Sequence, residues 1–184
     1  SKTQTLITTQ KADLNKKSKE VNIKEISIQS SLLNPSYTFD NFVVGDSNQF
    51  AFISSKQVAN NPGKAYNPLF IYGPTGLGKT HLLQSIGNEC LENGKTVICI
   101  TSEQFTSDFI RHLENRTMNK FKEKYRNCDV LLIDDVQFFH KSEKTQEEFF
   151  HTFNEIHAKK GQIVMTSDKP PKMLKDFEER LKSR

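Results

Sequence analysis

Eight consecutive residues, Gly73-Pro74-Thr75-Gly76-Leu77-Gly78-Lys79-Thr80, constrain this chain more than any other feature. They match G-x-x-x-x-G-K-[ST] at every fixed position. They also sit where that motif must sit, between a short apolar run at Leu69–Tyr72 and a stretch with helical spacing of its apolar residues. Glycines let the backbone curl until successive N–H groups point inward at phosphate oxygens, and a helix opening at Lys79 adds its positive dipole end. In such a loop Lys79 reaches the β- and γ-phosphates and the Thr80 hydroxyl is a Mg²⁺ ligand.

The flanking sequence predicts an α/β fold. Strands are expected at Leu69–Tyr72, Thr96–Thr101, Val130–Ile133 and Gln162–Ser167, all short and apolar, as strands covered on both faces of a parallel sheet should be. Helices are expected at Asn48–Asn60, Lys79–Asn93, Ser102–Arg116, Met118–Arg126 and Lys144–Lys160, with Gly94 placed to end the second. The sum is a P-loop nucleoside-triphosphate-binding domain, a central parallel sheet between two layers of helices. Residues 1–33 have a different texture: rich in Lys, Ser, Thr, Gln and Asn and lacking aromatics, they predict a disordered linker, with a short strand around Ile26 and Ile28 as the alternative. Apolar density rises from Tyr37 onward, so the folded domain is expected to span residues 34–184.

A second motif completes the first. Val130-Leu131-Leu132-Ile133-Asp134-Asp135 is an apolar strand ending in two carboxylates. Alone, such acids are ordinary turn or cap chemistry. Behind a phosphate loop they acquire roles, Asp134 toward Mg²⁺ and Asp135 toward the attacking water. The fourth strand ends in Thr166-Ser167-Asp168, which would lie beside those acids if this strand is inserted between the loop strand and the Asp134 strand. At the far end, Arg180-Leu181-Lys182-Ser183-Arg184 reads from composition alone as a solvated basic tail.

Length and composition add bounds. A chain of 184 residues suits one core rather than two. A net charge of +4 tolerates an anionic partner without requiring one. Cys90, Cys99 and Cys128 form no CxxC pair, so neither a disulfide framework nor a zinc site is indicated. The sequence offers no apolar run of membrane-spanning length and no secretory signal, which predicts a cytoplasmic protein.

Several further stretches are similar to one family, the AAA+ domain of the bacterial replication initiator DnaA. They are Tyr37-Thr38-Phe39-Asp40-Asn41-Phe42-Val43-Val44-Gly45, Asn67 to Gly73, Asp134-Asp135-Val136-Gln137-Phe138-Phe139, Gln146 to Asn154, and Arg180 to Arg184. The resemblance implies that Val43, Val44 and Asn48 receive adenine, making the nucleotide ATP or ADP, and it adds His81 to the eight loop residues as a nucleotide contact. It places Asp168 at the sensor-1 position and Arg184 at the arginine finger, which in this family reaches the γ-phosphate on a neighbouring subunit. Arg180 and Arg126 match further contacts between subunits. Ile110 and Lys144 match a pair that holds single-stranded DNA; the family carries a basic residue two positions before Lys144, where this chain has Ser142 beside Lys141. By the same resemblance the partners are a second copy in a head-to-tail oligomer on origin DNA, single-stranded DNA, a replicative helicase, regulatory proteins and acidic phospholipids. Hydrolysis would be a slow off-switch. A sequence ending at Arg184 stops before the family's helical lid and its duplex-reading helix-turn-helix domain, which implies weaker nucleotide binding without the lid. Two alternatives share the loop: a helicase loader or remodeller, and a small-molecule kinase. The Phe149-to-Asn154 stretch speaks against the loader, and a kinase has no use for Arg184 acting on a neighbour.

Overall fold

The structure is a computed structural model that describes residues 33–174 and 177–182. The expected linker therefore lies outside the described residues apart from Leu33, and so does Arg184. In chain order the elements are α1 (Gln49–Asn60), β1 (Leu69–Tyr72), α2 (Lys79–Glu92), β2 (Val97–Thr101), α3 (Ser102–Glu114), α4 (Met118–Arg126) and β3 (Val130–Asp134). A 3₁₀ turn (Val136–Lys141), α5 (Glu143–Ala158), β4 (Gln162–Ser167), a short 3₁₀ turn (Pro171–Met173) and α6 (Phe177–Lys182) follow.

The four strands are parallel in the order β1-β4-β3-β2, so β4 does enter between the loop strand and the strand of Asp134. Every residue of β3 and β4 is buried. Such runs are stable only with helices on both faces, and the period of two along each strand divides the core accordingly. Ile98, Ile100, Leu131, Ile133, Ile163 and Met165 face the rings of Phe105, Phe121, Tyr125, Phe149 and Phe153 on α3, α4 and α5. Their neighbours Val97, Cys99, Val130, Leu132 and Val164 face Val58 of α1 and Leu82, Leu83 and Ile86 of α2. The expected three-layer architecture is present.

Element ends follow local chemistry. Thr101 opens α3 with a reciprocal capping box to Gln104, and the Ser142 hydroxyl accepts the Thr145 N–H to open α5. The helices expected to run to Arg116 and Lys160 stop short, because those residues adopt φ of 55° and 61° and turn the chain out of the helix. Asn48 precedes α1 rather than joining it, and β3 runs one residue further than expected, to include Asp134. Not anticipated was the 3₁₀ turn after β3: Asp135, at φ 58° and ψ 50°, reverses the chain and lets Phe139 drop into the aromatic core.

All three cysteines are free. Burial pushes the Cys90 thiol up to about 11 and those of Cys99 and Cys128 up to about 12, so they remain protonated. No helix among the described residues is long and apolar enough to cross a membrane.

Candidate nucleotide site

The parallel topology gathers the carboxyl ends of β1, β3 and β4 at one edge of the sheet, where crossover folds place ligands. The chain leaves β1 at Tyr72, and the Gly73 N–H donates to the Ser167 carbonyl at 3.2 Å, tying the loop's first residue to the end of β4. Gly78, in the left-handed region at φ 86°, opens α2, and no side chain caps the helix. That position needs glycine for a second reason. A Cβ there would stand 2.7 Å from Cε2 of Phe42, whose ring lies over the loop.

Lys79 folds back so that Nζ donates to the Pro74 carbonyl at 2.9 Å. Thr80 reaches across to β3, its hydroxyl donating to Asp134 Oδ2 at 2.8 Å. On its other oxygen the nearly buried Asp134 accepts the hydroxyl of Thr166 from β4. Loop helix and sheet therefore meet at one carboxylate. Its charge is felt in the neighbouring strand as well, where it adds to burial in raising the Cys99 thiol on the same face of the sheet.

Asp135 is held by three elements. Its N–H donates to Thr166 Oγ1 at 3.0 Å, its carbonyl accepts the Ser102 hydroxyl at 2.6 Å, and its Oδ1 accepts Gln137 Nε2–H at 3.0 Å. Asp168, just past β4, is exposed, and its N–H points at Gln137 Oε1 at 3.4 Å.

On the side where adenine is expected, Val43 is 84 % and Val44 45 % exposed. Asn48 shapes their turn, accepting the Gly45 N–H at 2.8 Å and donating to the Val43 carbonyl at 3.0 Å. The His81 ring lies against Tyr37 and Phe42, and its Nε2–H donates to the Thr38 carbonyl at 2.7 Å. The side chain thus straps residues 37–42 onto α2, and a contact from His81 to nucleotide would fall to its backbone.

The structure brings Lys79, Thr80, Asp134 and Asp135 together with the start of the segment after β4. It does not bring the other expected residues into that cluster. Arg126, at the end of α4 and the opposite edge of the sheet, pairs within the chain with Glu148 at 2.8 Å and with Glu155. Arg180 lies over the Phe150 ring at 4.9 Å. Ile110 is 44 % exposed on α3, and Lys144 is exposed in the first turn of α5. Ser142 is a helix cap rather than a free contact, while Lys141 lies over the Phe138 ring at 4.6 Å and pairs with Glu103 at 3.4 Å. Reading the sequence missed Thr166, Ser102, Gln137 and Phe42. Thr166 was within reach: with β4 beside β3, the pairing of Ile133 with Met165 sets the following residue, Thr166, beside Asp134.

Comparison with known proteins identifies the family. The family profile described as "Bacterial DnaA ATPAse domain" matches residues 33–184. The chromosomal replication initiator protein DnaA of Campylobacter fetus is 83% identical over 178 residues, 97% of this chain and 41% of the relative. The chain thus spans about two fifths of the length of the curated relatives it matches. Domain III of the Thermotoga maritima replication initiation protein DnaA superposes with a TM-score of 0.78 at 52% identity, over 82% of this chain and 64% of that one. A replication initiator DnaA bound to AMPPCP and single-stranded DNA superposes with a TM-score of 0.79 at 45% identity, over 83% of this chain and 48% of that one. Neither the loader nor the kinase alternative accounts for such likenesses, and the chain belongs to the bacterial DnaA ATPase-domain family.

Proposed function

We propose that this chain is the ATP-binding domain of a chromosomal replication initiator, in which nucleotide state governs head-to-tail self-assembly on origin DNA and engagement of single strands. The observation that carries the reading is the 2.8 Å contact of the Thr80 hydroxyl with Asp134, which joins the phosphate loop to the acidic strand end. Support comes from the solved DnaA bound to AMPPCP and single-stranded DNA.

A hydroxyl and a carboxylate side by side are hard oxygen donors of the kind Mg²⁺ takes, so Thr80 and Asp134 fit that ion. Among the described residues no group of three or more His, Cys, Asp or Glu competes for a metal. The remaining ligands would be phosphate and water, as is usual for Mg²⁺. When bound, the ion offsets phosphate charge. Lys79 would exchange the Pro74 carbonyl for the β- and γ-phosphates, Asp135 would orient water, and Asp168 would sense the γ-phosphate. Arg184 would reach the site of the neighbouring copy, with Arg126 and Arg180 in the contact between copies, and Ile110 and Lys144 would meet single-stranded DNA.

Sedimentation of the intact protein with ATP·Mg²⁺ or ADP, each with and without single-stranded DNA, tests this. Larger assemblies with ATP and DNA together are expected. Sedimentation identical in all four conditions would reject nucleotide-governed assembly.

A further inference from the structure

The Asp135 carboxylate is not left to solvent. Its backbone is fixed in the left-handed region by Thr166 at the N–H and Ser102 at the carbonyl, which turns the chain so that residue 137 comes back beside it. Gln137 is only 9 % exposed, yet packing at that place would be served as well by an apolar side chain. What distinguishes the amide is its two ends. Nε2–H donates to Asp135 Oδ1 at 3.0 Å, and Oε1 accepts the Asp168 N–H at 3.4 Å. A buried primary amide is stable where both ends are satisfied, and here each end lands on a different wall of the site.

We propose that Gln137 is a positioning residue for ATP hydrolysis. Its amide holds one oxygen of Asp135, directs the other at the attacking water, and ties that orientation to the end of β4 through the Asp168 backbone. This rests on the functional reading above. In the step concerned, the water oxygen bonds to the γ-phosphorus while the bond from that phosphorus to the β–γ bridging oxygen breaks. The electron pair leaves with ADP, and a water proton passes to Asp135. A carboxylate released from Gln137 can still accept that proton but is no longer held in line, and displacements on the order of 1 Å can cost roughly a hundredfold.

The geometry also separates the two arms of the amide. Gln137→Met keeps the shape and loses both hydrogen bonds. Gln137→Glu keeps the acceptor for the Asp168 N–H, loses the donor and sets a carboxylate against Asp135. In the intact protein, single-turnover hydrolysis, equilibrium ATP binding and thermal melting are compared for wild type, both variants and Asp135→Asn. Both Gln137 variants are expected to hydrolyse at least about tenfold more slowly, Glu no faster than Met, with ATP affinity within about threefold of wild type. A Glu variant that turns over like wild type would restrict Gln137 to holding the Asp168 backbone and overturn the proposal. So would unchanged or faster hydrolysis in the Met variant, or affinity and melting temperature falling in step with rate. If Asp135→Asn itself hydrolyses at the wild-type rate, the assignment of Asp135 fails and Gln137 falls with it. If Asp135→Asn is slow and Gln137→Met is not, only the role of Gln137 fails.

Discussion

The phosphate loop and the α3–α4 helix pair solve opposite problems with the same chain. In the loop, polar groups rest on provisional partners: Lys79 on a backbone carbonyl of its own loop, Thr80 on a carboxylate, with Leu77 59 % exposed. In the helix pair the aromatic interior is closed, while Ile110 and Leu113 stay exposed. Phe105, Phe109, Phe121 and Tyr125 pack with ring centroids 4.6 to 5.8 Å apart. Asp108, nearly buried between the helices, accepts from Lys124 Nζ and Tyr125 Oη, each at 2.8 Å, and from Arg111. The difference teaches that a site meant to be completed by a ligand keeps its cations on exchangeable partners. The helix pair instead settles its buried charge internally. Substitutions should therefore cost binding without stability at the loop, and stability before binding at the helices.

The sharpest separation comes from Lys79→Ala. Phosphates lose their main countercharge while the fold loses one exposed contact to a carbonyl, so ATP affinity should fall by about a hundredfold or more, roughly 3 kcal/mol. Titration calorimetry would record the loss, and the melting temperature should hold. A matching fall in melting temperature would mean that the loop is structural after all.

Asp108→Ala is the mirror experiment. It strands the buried Tyr125 hydroxyl and frees Lys124 and Arg111, so denaturant unfolding should show a loss of about 3 kcal/mol with ATP affinity little changed. Burial works to raise the Asp108 carboxyl, but the hydrogen bonds from Lys124 and Tyr125, the Lys124 charge and Arg111 outweigh it and hold the group below its ordinary value. A depressed folded value means that the clamp stabilises fully above the unfolded value, near 4, and is lost as pH falls through the lowered one. The stability gap between wild type and Asp108→Asn should accordingly narrow as pH drops below about 4.

Local sequence made some of this legible and tertiary pairing hid the rest. The loop and the Asp134 strand are contiguous motifs, so strand–turn–helix order and the four strands could be read directly. The order β1-β4-β3-β2 could only be posed as a condition, because it depends on which strands pair. Thr166, Ser102 and Gln137 act on Asp134 and Asp135 through contacts that the fold makes; Thr166 and Gln137 lie in stretches the sequence singles out, but their partners there do not follow from local pattern, and Ser102 carries no mark at all. Arg126 shows the reverse limit: a residue assigned by resemblance to a contact between subunits also carries pairs to Glu148 and Glu155 within its own chain.

Gly78→Ala should blur the comparison, since this residue belongs to both regimes. Its φ of 86° penalises a side chain, and the new Cβ would press on Phe42, which stacks on Phe52 at 5.8 Å and meets His81 at 5.3 Å. About 2 kcal/mol of stability should go together with nucleotide affinity. A variant that melts normally while failing to bind would show that the Phe42 strap yields and that only the loop is disturbed.

The smallest expected effect separates two exposed residues, Ile110 on α3 and Lys144 on α5. Lys144, if it meets one phosphate, contributes a counterion-release term. Lys144→Ala should weaken single-stranded DNA binding about fivefold at low salt, and the slope of log affinity against log salt should lose about 0.7. Ile110→Ser removes apolar contact without charge, so affinity should fall by a similar factor with the slope intact. Because Asp108 sits two residues before Ile110 on the same helix, Asp108→Asn should weaken DNA binding near neutral pH by loosening α3 and leave the salt slope alone. A slope unchanged by Lys144→Ala would remove that lysine from the phosphate path and leave Lys141, already drawn onto Phe138 and Glu103, as the basic group to test in its place.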